Sequence, residues 1–185
     1  MKTLSKYNIA FKGLKEGDHH FEFELDDQFF EKFENSIVQK GNFKAKVTLK
    51  RQASLMILKM AVKGKAELEC DRCLDNYLQK VKNSSSLYIK FGSEAEEMSD
   101  DVVVLPFDEY QINVAHFLYE LVILGLPIKH VHPDDEYGNS TCNPGMVDKL
   151  NEYLIVGDDV PETEETQETD DRWNELKKLL DNKQK

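Results

Sequence analysis

Residues 55–68, with the sequence LMILKMAVKGKAEL, decide the fold of this chain. Their even-numbered side chains are almost all apolar, whereas the odd-numbered ones include Lys59, Lys63 and Lys65. Successive side chains of a β-strand point to opposite faces, so this period of two predicts a strand with one buried and one solvated face. The segment is therefore expected in a sheet whose outer surface is basic.

Two other segments repeat this pattern. Residues 43–51, FKAKVTLKR, and residues 77–91 alternate in the same way, while residues 7–11 and 20–25 are shorter strand candidates. Consecutive alternating segments predict an antiparallel meander, in which the polar faces of the strands coincide. One basic surface would then be shared by Lys44, Lys46, Lys50, Lys59, Lys63, Lys65, Lys80, Lys82 and Lys90.

Helices are predicted only in the second half of the chain. Asn113 is a favourable N-cap for an almost wholly apolar helix over residues 114–124, and Asn143 with Pro144 opens a second helix. Strands followed by helices indicate an α+β fold, here a mainly antiparallel, twisted β-sheet followed by two or three helices.

The expected domain organisation follows from these elements. One α+β domain is predicted over residues 1–156, β-rich over 1–92 and helical over 113–156. Residues 157–185 are predicted to be a flexible acidic segment: a linker rich in Asp, Glu and Thr, then a short terminal helix. Three apolar side chains of this terminal helix, Trp173, Leu176 and Leu180, are spaced to lie on one helix face. That face could pack into a groove of a partner protein or against the chain's own core.

The composition is that of a globular protein without membrane attachment. Apolar residues make up 40% and charged residues 32% of the 185 residues, and no apolar run is long enough to span a membrane. The N-terminus lacks the apolar stretch of an export signal, and an odd number of cysteines argues against a disulfide framework. A reducing cytoplasm is therefore expected.

Charge divides the chain into a basic and an acidic half. Residues 1–92 contain 17 Lys and Arg against 12 Asp and Glu, whereas residues 93–185 contain 7 against 23. A basic sheet face attracts the phosphate backbone of nucleic acid irrespective of sequence, but lysine on a strand also simply prevents edge aggregation. Tyr88 is the main aromatic side chain expected on this face, so base stacking is weakly supported.

Three cysteines and a histidine form the candidate metal site. Cys70 and Cys73 have the spacing of two thiolate ligands in one tight turn, and Cys142 just before a predicted helix N-terminus could be the third. His132 is the preferred fourth ligand of a zinc ion. Its competitors are His130, Asp134 and Asp135. No open coordination position is indicated, so the zinc would be structural.

Other interpretations of the cysteines are free thiols in ordinary positions and a redox-active dithiol. The dithiol usually needs its first cysteine at a helix N-terminus in a thioredoxin-like βαβ unit, whereas this motif lies between two predicted strands. The sequence contains no Gly-rich phosphate loop, no Gly-x-Ser-x-Gly and no His-Glu-x-x-His. We therefore expect neither an enzymatic activity nor a small-molecule substrate.

Several blocks of this sequence resemble the YceD family, the large ribosomal RNA subunit accumulation proteins. Residues 68–74, LECDRCL, are similar to its Cys-x-Arg-Cys-Leu signature, and residues 124–127, LGLP, to the Leu-Pro that ends its helix. His132 and Cys142 look like its downstream His and Cys. Residues 170–177, DDRWNELK, resemble an Asp-Pro-Arg-Trp ending, with an aspartate in place of the proline.

The resemblance implies a bacterial, cytoplasmic, non-catalytic protein needed for the synthesis, processing or stability of large-subunit ribosomal RNA. Expected partners are precursor ribosomal RNA or a ribosomal or assembly protein. Eight lysines are the candidate nucleic-acid contacts: Lys44, Lys46, Lys50, Lys59, Lys63, Lys65, Lys80 and Lys82. The alternative is a zinc-stabilised protein-interaction module that binds its partner through Trp173 and the acidic tail without RNA contact.

Overall fold

The structure, a computed structural model, describes residues 4–92, 97–99 and 101–154. After a 3-10 turn at Ser5–Tyr7, the elements described are β1 (Asn8–Ala10), β2 (Gly17–Leu25), α1 (Asp27–Phe30), β3 (Lys40–Arg51), β4 (Met56–Glu69), β5 (Asn76–Gly92), β6 (Glu97–Ser99), β7 (Val102–Pro106), β8 (Gln111–Asn113), α2 (Ala115–Ile123) and α3 (Pro144–Tyr153). The chain divides into two compact units, Met1–Met146 and Val147–Lys185. Both sheets and both sites described below lie in the first unit.

Six strands form one sheet in the order β2-β3-β4-β5-β7-β6, and β1 pairs separately with β8. Every pairing is antiparallel except that between β5 and β7, which is parallel. The predicted α+β fold with a mainly antiparallel sheet is therefore confirmed. The acidic segment predicted over residues 157–185 lies outside the described residues.

The core lies on the inner face of the large sheet. Val47 and Leu49 of β3 are in register with Met60 and Leu58 of β4, and all four side chains are buried. Helix α2 packs on β4 and β5 and adds side chains such as the fully buried Leu118. Removing a side chain of this size from water contributes about 1.5–3 kcal/mol. Alternation of apolar and polar residues thus fixes which face of each strand is outside.

Gly64 marks a close approach between β3 and β4. It lies in register with Phe43 on one side and Val81 on the other. A Cβ atom at this position would lie 2.2 Å from the carbonyl oxygen of Asn42 and 2.6 Å from the Cα of Phe43. Because no larger side chain fits such a gap, glycine is required here for the pairing of the two strands.

Four elements have no counterpart among the predicted ones, namely α1, β6, β7 and β8. Helix α1 is too short to show a helical period, and it is held by Asp26, whose side chain accepts a hydrogen bond of 3.0 Å from the backbone N–H of Phe29. Strand β7, which pairs with β5 on one side and β6 on the other, is a continuous apolar run and therefore lacks the period of two that identifies the other strands. Strands therefore continue beyond residue 92.

The two predicted helices are both present. Helix α2 begins after Val114, one residue later than expected, and the side chain of Asn113 accepts a hydrogen bond of 3.0 Å from the N–H of Ala115. The side chain of Asn143 likewise accepts a bond of 3.1 Å from the N–H of Gly145 at the start of α3. No helix in the described part of the chain is both long and apolar enough to cross a membrane.

Candidate functional site

The turn between β4 and β5 carries the first two cysteines. The N–H of Cys70 donates to the carbonyl of Asp75 at 3.0 Å, and the N–H of Leu74 donates to the carbonyl of Cys70 at 2.9 Å. Leu74 adopts a φ of 63°, a left-handed conformation that is uncommon for a residue other than glycine. These bonds close the turn and direct the thiols of Cys70 and Cys73 inward, where both are buried.

A second loop is attached to this turn by a reciprocal pair of hydrogen bonds. The backbone N–H of Asp71 donates to the carbonyl of His130 at 2.6 Å, and the N–H of His130 donates to the Asp71 carboxylate at 2.7 Å. Farther along, the side chain of Asn143 donates to the Asp75 carboxylate at 3.2 Å. The bonds fix both ends of residues 130–143, the segment that contains His132 and Cys142.

Four ligand atoms thereby come together, from Cys70, Cys73, His132 and Cys142, all within 4.8 Å of one another. The Sγ atoms of Cys70 and Cys142 are 3.8 Å apart, and Nδ1 of His132 lies 3.4 Å from Cys73 Sγ and 3.8 Å from Cys142 Sγ. With Zn–S bonds of about 2.3 Å and a Zn–N bond of about 2.0 Å, neighbouring ligands of a tetrahedral ion lie about 3.5–3.8 Å apart. The cluster therefore has dimensions that suit one tetrahedral ion.

The thiols of this cluster differ in their acidity. Burial raises the pKa of Cys70, but hydrogen bonds from the backbone N–H groups of Cys73 and Arg72 and from His132 outweigh burial and lower this pKa to about 6. Burial is also the main cause of the raised pKa of Cys73, for which hydrogen bonds from Asn143 and Asp75 do not compensate. Backbone N–H groups that point at a sulfur favour the thiolate, which is the form that binds metal.

The competing ligands lie outside the cluster. His130 contributes its backbone to the attachment of the loop, and Asp134 is exposed. The Asp135 carboxylate accepts hydrogen bonds from the side chain of Asn139 and from the N–H groups of Asn139 and Tyr137, and these bonds hold its pKa below the usual range. Asp135 thus orders its own loop.

Tyr77 is a neighbour of the cluster that the sequence did not point to. Its ring centroid lies 5.0 Å from that of His132, and its hydroxyl is buried without a hydrogen-bond partner among the described residues. Burial and the nearby Cys70 and Asp71 raise its pKa. The ring supports the imidazole of His132 from one side. An alternating strand pattern could only have placed Tyr77 on the inner face, because its contact with His132 depends on the second loop.

The second candidate site is on the outer face of β3, β4 and β5. Lys44, Lys63 and Lys82 lie directly opposite one another across the three strands, and the next row contains Lys65 opposite Lys80. A groove of about 1230 Å³ runs over these rows. Its lysines are Lys44, Lys46, Lys63, Lys65, Lys80 and Lys82, and we call it the lysine groove.

The other two predicted lysines extend the same face beyond the groove. Lys59 lines a smaller adjoining depression together with Lys46, and Lys50 lies opposite Ile57. Lys46 forms an ion pair of 3.4 Å with Glu22, both side chains being 75% exposed, so this pair adds little stability. The other five lysines of the groove form no ion pair within the described residues.

The predicted partner-binding side chains of the tail cannot be placed against either site. Trp173, Leu176 and Leu180 lie outside the residues that the structure describes.

Comparison with known proteins places the chain in a family. No curated protein and no solved structure matches it. The family model described as "Large ribosomal RNA subunit accumulation protein YceD" matches residues 58–180, which include all four residues of the cysteine–histidine cluster, all but the first two residues of β4, and all of β5. Because this match covers more than half of the chain, the protein belongs to the YceD family.

Proposed function

We propose that this chain is a non-catalytic accessory protein of large-subunit ribosomal RNA that binds the phosphate backbone of precursor RNA through the lysine groove. The observation that carries the proposal is the row Lys44, Lys63 and Lys82, three cations opposite one another on adjacent strands. Glu24 of β2 lies opposite Lys44 at one end of the row, but none of the three lysines forms an ion pair among the described residues. The family model supports the link to large-subunit RNA. Its cytoplasmic location follows from that proposal.

Like charges directly opposite one another on a sheet are destabilising. Such a row therefore needs a reason, and protection against aggregation is a poor one, because that protection belongs on edge strands. Lys44 and Lys63 lie on β3 and β4, which are paired on both sides, so edge protection does not explain them, whereas β5 pairs with β7 only over Tyr88–Gly92 and Lys82 lies where β5 is an edge. A polyanion that spans the row would neutralise several lysines at once and release condensed counterions. Binding of RNA thus accounts for a charge arrangement that folding alone disfavours.

We further assign one structural zinc ion to Cys70, Cys73, His132 and Cys142. Four protein ligands close the coordination sphere, so the ion would have no open position for catalysis. It would join the loop of residues 130–142 to the end of the hairpin that carries Lys63, Lys65, Lys80 and Lys82. Zinc would thereby hold the strands of the groove in register without touching RNA.

Filter binding of large-subunit ribosomal RNA at two salt concentrations tests the RNA assignment. The triple variant Lys44→Gln/Lys63→Gln/Lys82→Gln should bind more weakly, and its slope of log affinity against log salt should be shallower by roughly two to three units. The matched control is Lys12→Gln/Lys15→Gln/Lys32→Gln, which removes three exposed lysines elsewhere. Equal affinities and slopes for the two triple variants would refute the role of the groove.

A protein partner is the second candidate. Leu74 and Leu78, each 58% exposed, flank the cysteine turn and would suit an apolar contact with a ribosomal or assembly protein. In that case Trp173, Leu176 and Leu180 would add a second anchor. The same filter assay separates the two proposals, because an interaction module without RNA contact retains no RNA even at low salt.

A further inference from the structure

We infer that the lysine groove takes base-paired RNA in its A-form geometry rather than a single strand. This inference rests on the proposed function and names the class of RNA that the groove selects. Three features of the groove carry it: the residue types in its lining, the hydroxyl groups beside it and the two-dimensional spread of its charges.

The described lining of the groove contains no aromatic side chain. Besides lysines, it consists of small or aliphatic residues: Asn42, Ala61, Val62, Gly64, Val81, Asn83 and Ser84. Proteins that bind single strands combine a basic track with aromatic rings on which exposed bases stack. On this face Tyr88 lies opposite Ile57, six residues along β4 from Lys63, which corresponds to about 20 Å. Unpaired bases would therefore find no stacking partner in the groove.

Hydroxyl side chains line one end of the groove and the depression that adjoins it. Ser84 lines the groove itself, and Thr48 and Ser86 line the adjoining depression with Lys46 and Lys59. Thr48 and Ser86 are the neighbours of Lys59 on either side, and the Thr48 hydroxyl also forms a hydrogen bond of 3.0 Å with Nδ1 of His20. A-form RNA presents its 2′-hydroxyls and phosphates across a wide, shallow minor groove, where short hydroxyl side chains can donate and accept hydrogen bonds. This combination favours RNA over a DNA duplex, which lacks the 2′-hydroxyl.

The lysines spread in two directions. Across the strands, Lys44 to Lys82 spans two inter-strand spacings, about 10 Å. Along the strands, the groove's lysines extend from Lys46, which lies opposite Ala61, to Lys65, four residues farther along β4, or about 13 Å. A single backbone needs only a line of cations, whereas a duplex offers two phosphate backbones separated by a groove. A patch of this shape can contact both backbones at once.

Competition binding with short RNAs tests the inference. The probes are a blunt RNA duplex of about 16 base pairs, a length that spans successive minor grooves, each of its strands alone, and a DNA duplex of the same sequence. The RNA duplex should bind at least about tenfold more tightly than either single strand, because only the duplex presents both backbones. It should also bind more tightly than the DNA duplex.

The variant Thr48→Ala/Ser84→Ala/Ser86→Ala sharpens the test. It should lose the preference for RNA over DNA while melting near the wild-type temperature, and Ser54→Ala in the turn before β4 is the matched control. Single strands that bind as tightly as the duplex would overturn the inference and leave the proposed function intact. If no probe binds at low salt, both the inference about duplex RNA and the proposed function are refuted. An unchanged preference for RNA in the triple variant would overturn the role of the hydroxyls.

Discussion

The hairpin of β4 and β5 has two regions of opposite character. At its turn, three buried thiols, one imidazole and a set of hydrogen bonds between Asp71 and His130 converge from two loops. Along its strands, lysines lie opposite one another on an exposed face, and Lys63, Lys65, Lys80 and Lys82 form no ion pair among the described residues. The interactions at the turn stabilise the folded state. The lysines on the strand face repel one another, and a bound anion would neutralise that repulsion.

Under the proposed function, this difference separates the residues that stabilise the protein from the residues that would bind RNA. The thiols at the turn are buried, so their substitution should lower stability first and RNA binding only as a consequence. Residues of the lysine groove are exposed, so their substitution should alter RNA binding without harming the fold.

Substitution of a proposed metal ligand should have the largest effect. His132→Ala should lose stoichiometric zinc and lower the free energy of unfolding by at least about 4 kcal/mol, or roughly 8–16 °C in melting temperature, because loss of a structural metal is among the costliest changes. Elemental analysis and thermal melting measure the two effects. The control is His130→Ala, whose backbone bonds to Asp71 survive the substitution; equal zinc content in the two variants would contradict the ligand set.

Gly64→Ala should have the next largest effect. The added methyl group would overlap backbone atoms of Asn42 and Phe43, so β3 and β4 would have to separate, at a cost of about 2–3 kcal/mol. Chemical denaturation measures this cost. Gly145→Ala is the control, since its Cβ would have only one neighbour, 3.6 Å away, and it should change stability by less than about 1 kcal/mol. Similar stabilities for the two variants would show that the close approach at Gly64 is unimportant.

Asp71→Ala should have a smaller effect on the same turn. It removes the carboxylate that accepts the N–H of His130 but leaves all four ligands in place. We expect a loss of about 1 kcal/mol because this hydrogen bond is exposed, together with faster release of zinc to a chelator. Asp134→Ala, an exposed aspartate of the second loop, should release zinc at the wild-type rate. A normal release rate for Asp71→Ala would mean that the reciprocal bonds do not hold the loop.

The sequence predicts the sheet well because one local property, alternation, determines it. Residues 43–51, 55–68 and 77–91 fall within β3, β4 and β5 to within about one residue at most ends, and the main deviation is three residues at the start of β3. Strand β7 was missed since it is short, continuously apolar and parallel to β5. Helix α1 depends on a cap and on burial of its phenylalanines rather than on a period.

The sites were predictable by residue type but not by geometry. The Cys-x-x-Cys spacing and the chemistry of sulfur and imidazole are enough to nominate the four clustered residues, yet the choice of His132 over His130 depends on bonds between segments about sixty residues apart. The alternating pattern predicts that the lysines share one face of the sheet. Their alignment into the row Lys44, Lys63 and Lys82 depends on register, which the lengths of the connecting turns determine.

The most direct test of the account is one thermal-melting series of the wild type and Lys63→Gln at low salt, with and without large-subunit ribosomal RNA. Removing the middle lysine of the row relieves repulsion from both neighbours, so the variant alone should melt about 1–2 °C higher than the wild type. RNA should then raise its melting temperature by less than that of the wild type. A variant that melts no higher alone and gains as much from RNA would contradict the claim that these lysines serve binding at the expense of stability.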